Sequence, residues 1–288
     1  MILVTTAGKV GSEAARVLAQ RGEPVRILVR APDKAATLAR AGVEVVEGDL
    51  EHPATIDAAM QDVLSVVLVS PAIPRQELNV IDSAVRAGAG HVVKITSKAS
   101  ADSPIARRRN QAEIENALIA SGLGYTLLRN NAYMQNFLMM APGIANTSSF
   151  STATGEGRIG HIDARDVGAV AAEIAAAPAA HVGQTYWPTG PEVLSATEVA
   201  AVLSKVLGRL IAFHSITFEE QRQAMLDVGL GESVAEDNAR AVALMAEGDC
   251  DYVTDDVASL LGRPPRSFEV FATDYAAAFS YDTATAAA

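Results

Sequence analysis

Cysteine is almost missing from this chain: Cys250 is the one thiol among 288 residues, so no intramolecular disulfide can form and a disulfide-stapled secreted fold is excluded. No cationic, apolar, small-residue leader opens the sequence, and the expected location is cytoplasmic. Long hydrophobic runs are lacking too. The weakest-polarity stretch, 167–180, is alanine-rich, interrupted by Glu173 and Pro178, and too short to cross roughly 30 Å of hydrocarbon, so no membrane partner is expected. Positive charge is scarce: 23 Lys and Arg against 34 Asp and Glu leave a net charge of −11. That balance argues against a nucleic-acid partner, because duplex binding needs clustered cations to neutralise phosphates. The one basic run, Arg107-Arg108-Arg109, reads as a solvated helix start or loop, with contact to an anionic ligand as the alternative. Aromatic residues make up 5% and neither favour nor disfavour a site for a flat ligand.

What the chain does contain is apolar material, 49% of its residues, laid out in alternating strand-like and helix-like segments. Apolar runs at 1–5, 25–29, 43–47, 65–69, 92–96 and 125–128 read as strands. Helical patterns at 11–21, 34–41, 55–61, 78–87 and 112–120 separate them, several punctuated by glycine. Parallel neighbours require crossover connections, so the fold class is α/β, a Rossmann-type doubly wound parallel sheet of six or seven strands. Residues 1–150 are expected to form the dinucleotide-binding domain, its sheet completed by segments around 160–190. Residues 190–280 are expected to form a smaller, mostly helical substrate-binding part, and 281–288 a disordered tail. Residues 142–157, rich in Ser, Thr, Gly and Asn, read as loop or short strand. Ser195-x-x-Glu198 and Thr217-x-x-Glu220 are capping-box patterns that open helices.

The chemistry-bearing motif lies between the first strand and first helix, at Thr5-Thr6-Ala7-Gly8-Lys9-Val10-Gly11. Gly8 there would let the backbone approach a pyrophosphate. Gly11 would let the helix pack on the strand with its amide N–H groups facing the anion. At the end of the second strand, an acidic residue would accept hydrogen bonds from ribose hydroxyls, whereas a basic one accommodates a 2′-phosphate. Arg30, with Lys34 a turn later, favours NADPH over NADH. A surface cation held in a salt bridge is the alternative for Arg30. Asp49 and Leu50 sit where an adenine edge would lie, with Asp49 a plain turn aspartate on the other reading. His161 has no second ligand at metal spacing, so no metal site is expected. Asp163 and Asp166 read as fixing the turn into the next helix.

With these segments assembled, the chain resembles the NmrA-like branch of the atypical short-chain dehydrogenases/reductases. The resemblance rests on the Gly8/Gly11 loop and on the segments 26–30, 47–50, 79–84, 127–137, 162–167 and 189–192, and spans nearly the whole length. It implies binding of NAD(P)H and a function among quinone reductases, triphenylmethane-dye reductases or redox-sensing regulators. The implied cofactor set is Thr5, Thr6, Gly8, Lys9, Val10, Gly11, Arg30, Lys34, Asp49, Leu50, Ser70, Thr96 and Ser97. Asn131, Tyr133, Met134 and Phe137 form the implied substrate set. Two departures stand out. Thr5 occupies the position where the family loop opens with glycine, which places a stiff side chain beside the expected pyrophosphate. The superfamily's Tyr-x-x-x-Lys pair falls on Arg107 and Gln111, and glutamine cannot relay a proton as a cation.

Hydride transfer to an electron-poor acceptor can proceed without that pair, since the cofactor carries the hydride and the protein supplies positioning. Tyr133, Lys98 and Ser97 are the candidate proton donors. Met139 and Met140, with Tyr133, Met134 and Phe137, read either as an adaptable pocket wall or as the core face of an amphipathic helix. The leading reading is an NADPH-dependent reductase of a quinone-like or other conjugated aromatic small molecule. A non-catalytic dinucleotide sensor and an aromatic polyketide tailoring enzyme, oxygenase or reductase, are the alternatives. A symmetric homodimer is the default assembly.

Overall fold

All six runs read as strands from their apolar content are strands in the computed structural model, which describes residues 1–280. The expected disordered tail, 281–288, lies outside the described residues. In chain order the strands are β1 (Ile2–Val4), β2 (Val25–Val29), β3 (Glu44–Glu47), β4 (Ser65–Leu68), β5 (His91–Thr96), β6 (Gly124–Arg129), β7 (Ser149–Thr152), β8 (Gln184–Tyr186) and β9 (Ala212–Ser215). The helices are α1 (Lys9–Gln20), α2 (Ala36–Arg40), α3 (Pro53–Ala59), α4 (Pro74–Ala87), α5 (Ala106–Ala120), α6 (Phe137–Thr147) and α7 (Ala164–Ala176). They continue as α8 (Ala196–Leu207), α9 (Phe218–Asp227), α10 (Glu232–Ala246), α11 (Asp256–Leu261), α12 (Phe268–Asp274) and α13 (Ala276–Phe279). The chain divides into two compact units. The first comprises 1–130, 164–188 and 255–263, and the second 131–163, 189–254 and the residues from Pro264 onward.

The first unit is a seven-stranded sheet in the order β3-β2-β1-β4-β5-β6-β8, every pair parallel. Val4 pairs with Ile27 on one side and Val67 on the other, so winding reverses between β1 and β4. A reversal of this kind opens a crevice at the carboxyl ends of the strands. Central β1, β4 and β5 are buried at every position, whereas the edge strand β3 is not, as parallel sheets covered on both faces require. The alanine-rich stretch too short for a membrane is α7, a core helix packed on α1. Its small residues permit that approach: a methyl group at Gly168 would lie 2.8 Å from the Glu13 side chain and 2.9 Å from the Val10 carbonyl oxygen. No described helix is long and apolar enough to cross a membrane.

The second unit is mostly helical around Met134, Phe137, Phe150, Phe268, Phe271 and Phe279, with a small parallel pair, β7 and β9. Both capping boxes form, Ser195 with Glu198 and Thr217 with Glu220. Residues 142–157 meet the loop or short-strand expectation only in part: 142–147 end a helix, and a short strand follows. Pro142 lies inside α6, which runs on to Thr147, and β7 follows immediately. Proline removes one helical N–H bond, but burial of Phe137, Ala141 and Ile144 holds the helix together around it. Helix α5 also starts earlier than its apolar pattern, at Ala106, so the basic run lies in its first turns.

Candidate functional site

The loop after β1 turns directly into α1, and its glycines divide the labour. A methyl group at Gly11 would sit 1.9 Å from the Thr6 carbonyl oxygen, so close packing of helix on loop excludes any side chain there. At Gly8, by contrast, the nearest atom to such a methyl is 3.9 Å away. Packing therefore leaves room at Gly8, and its bareness leaves the backbone open to an incoming group. No side chain caps α1, and its first turn carries no acidic residue, which leaves the positive end of the helix dipole to an anion. Val10 is buried and Lys9 exposed beside them.

Thr5 does not crowd this loop as its bulk suggests. Its side chain is 1% exposed and turns into the sheet, where the hydroxyl donates to the Val69 carbonyl at 2.8 Å and accepts from the Val69 N–H at 2.9 Å. Thr6 Oγ1 donates to the same carbonyl at 3.1 Å. The two threonines thus lock the β1 loop to the end of β4, across the switch point.

A cleft of about 680 Å³ opens there, lined by Thr5, Thr6, Gly8, Arg30, Lys34, Asp49, Leu50 and Ser70 of the expected set. Ile73 and Gln76, missed by sequence reading, also line it and belong to no motif. Gly48 lines it from within the segment 47–50, although the implied cofactor set leaves it out. Gly48 is confined: a methyl there would lie 3.1 Å from Leu28 and Thr55 side chains. Arg30 and Lys34 are both exposed at the rim, and neither forms an ion pair among the described residues. The salt-bridge alternative for Arg30 is therefore not what the structure adopts. Asp49 combines its two readings. Its Oδ1 accepts from the Glu51 N–H at 3.0 Å, a turn contact, while the residue faces the cleft.

Thr96, at the end of β5, is buried, its hydroxyl donating to Glu115 Oε1 at 2.8 Å; Arg129 pairs with the same carboxylate at 2.5 Å and stacks over Trp187. Ser97 is half-buried and Lys98 exposed just beyond. Thr96, Ser97, Lys9, Val10 and Gly11 do not line the cleft itself. On α5, Arg107 is exposed and Gln111 buried, its Oε1 without a hydrogen-bond partner among the described residues.

The four substrate-set residues belong to the second unit. Asn131 is engaged internally, donating to the Cys250 carbonyl at 3.1 Å and accepting from the Ala132 N–H at 2.7 Å. Met134 and Phe137 are core residues, 1% and 7% exposed, which places them on the packing side of the two readings. Tyr133 is half-buried and Met139 exposed. His161 is wholly enclosed against Phe137 and Phe268, and burial lowers its pKa to about 4, so it is neutral. Asp163 accepts from Gln135 at 2.8 Å, and Asp166 pairs with Arg263 at 2.7 Å. Both are structural contacts. No group of three metal-ligating side chains forms among the described residues.

The NmrA-like family model matches residues 1–272. The chain belongs to the NmrA-like family. Over 283 residues, 97% of this chain and 99% of the relative, this NmrA-like protein is 38% identical to an NAD(P)H azoreductase of Xenophilus azovorans. It is 37% identical over 287 residues, 97% of this chain and 99% of the relative, to a (4-alkanoyl-5-oxo-2,5-dihydrofuran-3-yl)methyl phosphate reductase of Streptomyces griseus. The NADPH-dependent quinone oxidoreductase of Escherichia coli, solved with NADPH, superposes with a TM-score of 0.85 at 28% identity, covering 96% of this chain and 99% of that one.

Proposed function

We propose that this NmrA-like protein is an NADPH-dependent oxidoreductase that reduces a quinone-like or other conjugated small molecule. One observation carries the reading: two exposed cations, Arg30 and Lys34, line the same cleft as the bare Gly8 turn, which leads into the uncapped start of α1. An adenosine whose ribose carries a 2′-phosphate and a 5′-pyrophosphate fits those two anion-receiving features, and the first unit supplies every lining residue. The names of the relatives, an azoreductase, a quinone oxidoreductase and a reductase of a conjugated butenolide phosphate, agree in reaction class.

Bound NADPH supplies a hydride. The chain's part is to hold it: amide groups at Gly8 to Gly11 receive the pyrophosphate, Arg30 and Lys34 the 2′-phosphate, and Leu50 and Ile73 the adenine faces. By spacing, the family resemblance puts Arg107 and Gln111 at the positions of the Tyr-x-x-x-Lys pair, and neither is an acid suited to protonate an alkoxide. The acceptors that remain are those whose conjugation spreads the incoming negative charge, so that protonation need not be concerted with hydride arrival. Ser97, Lys98 or Tyr133 is the side chain we assign to that protonation. Oxidation of NADPH on adding a naphthoquinone, measured at 340 nm, tests the assignment. Tight binding without turnover on quinones, azo dyes or butenolides would instead favour a dinucleotide sensor.

A further inference from the structure

Lys94 lies in the middle of β5 and is completely buried, as is Glu77 in the first turn of α4. The two form an ion pair at 2.7 Å, and Lys94 Nζ also donates to the Ile95 carbonyl at 2.6 Å. The position shares a face of β5 with Val92, a residue of the apolar core, where an aliphatic side chain would satisfy the fold. Burying two charges costs desolvation that their attraction only partly returns, and apolar replacements are commonly neutral or stabilising. The pair therefore calls for another reason.

That reason lies at the other oxygen of Glu77. Oε1 accepts from the Ser70 hydroxyl at 2.6 Å, and Ser70 Oγ in turn accepts from the Ala72 N–H at 3.2 Å. Ala72 has φ of +62°, a left-handed conformation unfavourable for any residue with a Cβ, and its carbonyl accepts from Asn110 of α5 at 3.3 Å. Of the segment so constrained, Ser70, Pro71 and Ile73 line the cleft, and Ala72 is buried between them. An unbroken polar chain thus runs from the sheet interior to the surface that a nucleotide would touch.

We propose that Glu77 and Lys94 are positioning residues for the cofactor: the buried pair fixes the Ser70 hydroxyl, and through it the left-handed turn at Ala72, in the shape that receives the nucleotide. The Glu77 carboxylate, paired with Lys94 through one oxygen, accepts from Ser70 through the other, so the Ser70 hydroxyl donates inward and accepts from Ala72. The inference rests on the cleft being the cofactor site.

The test uses the full-length protein and NADPH, with binding read from cofactor fluorescence and turnover from quinone-dependent oxidation. The double variant Glu77→Leu/Lys94→Met keeps the volume and removes both charges. Its Kd for NADPH is expected to rise roughly tenfold while kcat at saturating NADPH stays within about twofold, because no group near the reacting atoms is altered. Adding Ala72→Gly is expected to recover roughly fivefold of that loss, since glycine adopts positive φ without the network. If the double variant does not fold, Ser70→Ala, which leaves the ion pair intact, should show the same loss and the same rescue. Unchanged NADPH affinity in the variants, or a loss that Ala72→Gly does not relieve, overturns the positioning role. Failure of the unaltered protein to bind NADPH overturns instead the cofactor reading beneath it.

Discussion

Arg30 can be removed without disturbing the fold, because its side chain is exposed and bonds to no carboxylate among the described residues. Arg30→Ala is expected to raise Kd for NADPH by roughly tenfold to a hundredfold, the worth of a charge-assisted phosphate contact. Kd for NADH should stay within about twofold, and fluorescence titration of both cofactors reads the ratio. An equal loss for both would remove Arg30 from the 2′-phosphate. Thr5→Val tests the lock at the switch point: the Val69 N–H loses its acceptor in a part-buried place, at a cost of about 1 kcal/mol, visible as a lower urea midpoint. These two residues also mark how far residue-level reading reaches. Arg30 is legible because strand end and charge are both sequence properties. The harmlessness of Thr5 is not, because it depends on the Val69 backbone, 64 positions away.

Elements with a local signature were readable. Both capping boxes appear where four-residue patterns place them, and all six apolar runs became strands of the parallel sheet. The misreadings arose where packing outweighed composition. Pro142 and its polar followers resemble a loop, yet α6 continues through them because its apolar face is buried. The pair β7 and β9 is four residues long on each side and joins segments some 60 positions apart, beyond any periodicity. Helix α7 belongs to both groups, visible as apolar but with its partner hidden. Its contact with α1 predicts that Gly168→Ala forces a methyl group against the Val10 carbonyl, destabilising the protein by about 1–3 kcal/mol as overpacking does. A wild-type thermal midpoint for that variant would contradict the close approach of the two helices.

At the scale of the molecule, the balance of charge and buried histidine sets a pH response. Burial lowers His161 from its ordinary 6.5 to about 4. The unfolded chain therefore takes up this proton first as pH falls, so the stability associated with neutral His161 is complete above about pH 6.5 and disappears on the way to pH 4. The integrated loss is roughly 3 kcal/mol. His91, also lowered to about 4, chiefly by burial, adds to the same window. Carboxylates held low by hydrogen bonds, such as Glu198 and Asp57, lose their contribution only further down, as pH falls below their ordinary values of 4.5 and 3.8. His161→Phe, a ring placed among Phe137 and Phe268, is expected to flatten the decline between pH 6.5 and 4 in denaturation midpoints. An unchanged profile would assign that decline elsewhere.

The parallel sheet and the glycine turn after β1 were legible because each rests on a local pattern, and Arg30 because it is a cation at a strand end. The inward engagement of Asn131 was not, and for Met134 and Phe137 packing was one of two readings, since a motif carries residue types without their facing. The most direct measurement is a paired titration of the purified protein with NADPH and NADH, followed by a naphthoquinone in the same cuvette. Preferential NADPH binding with quinone-dependent loss of absorbance at 340 nm is the predicted result. Absence of binding to either cofactor would contradict the account at its centre, the cleft between the Gly8 turn and Arg30.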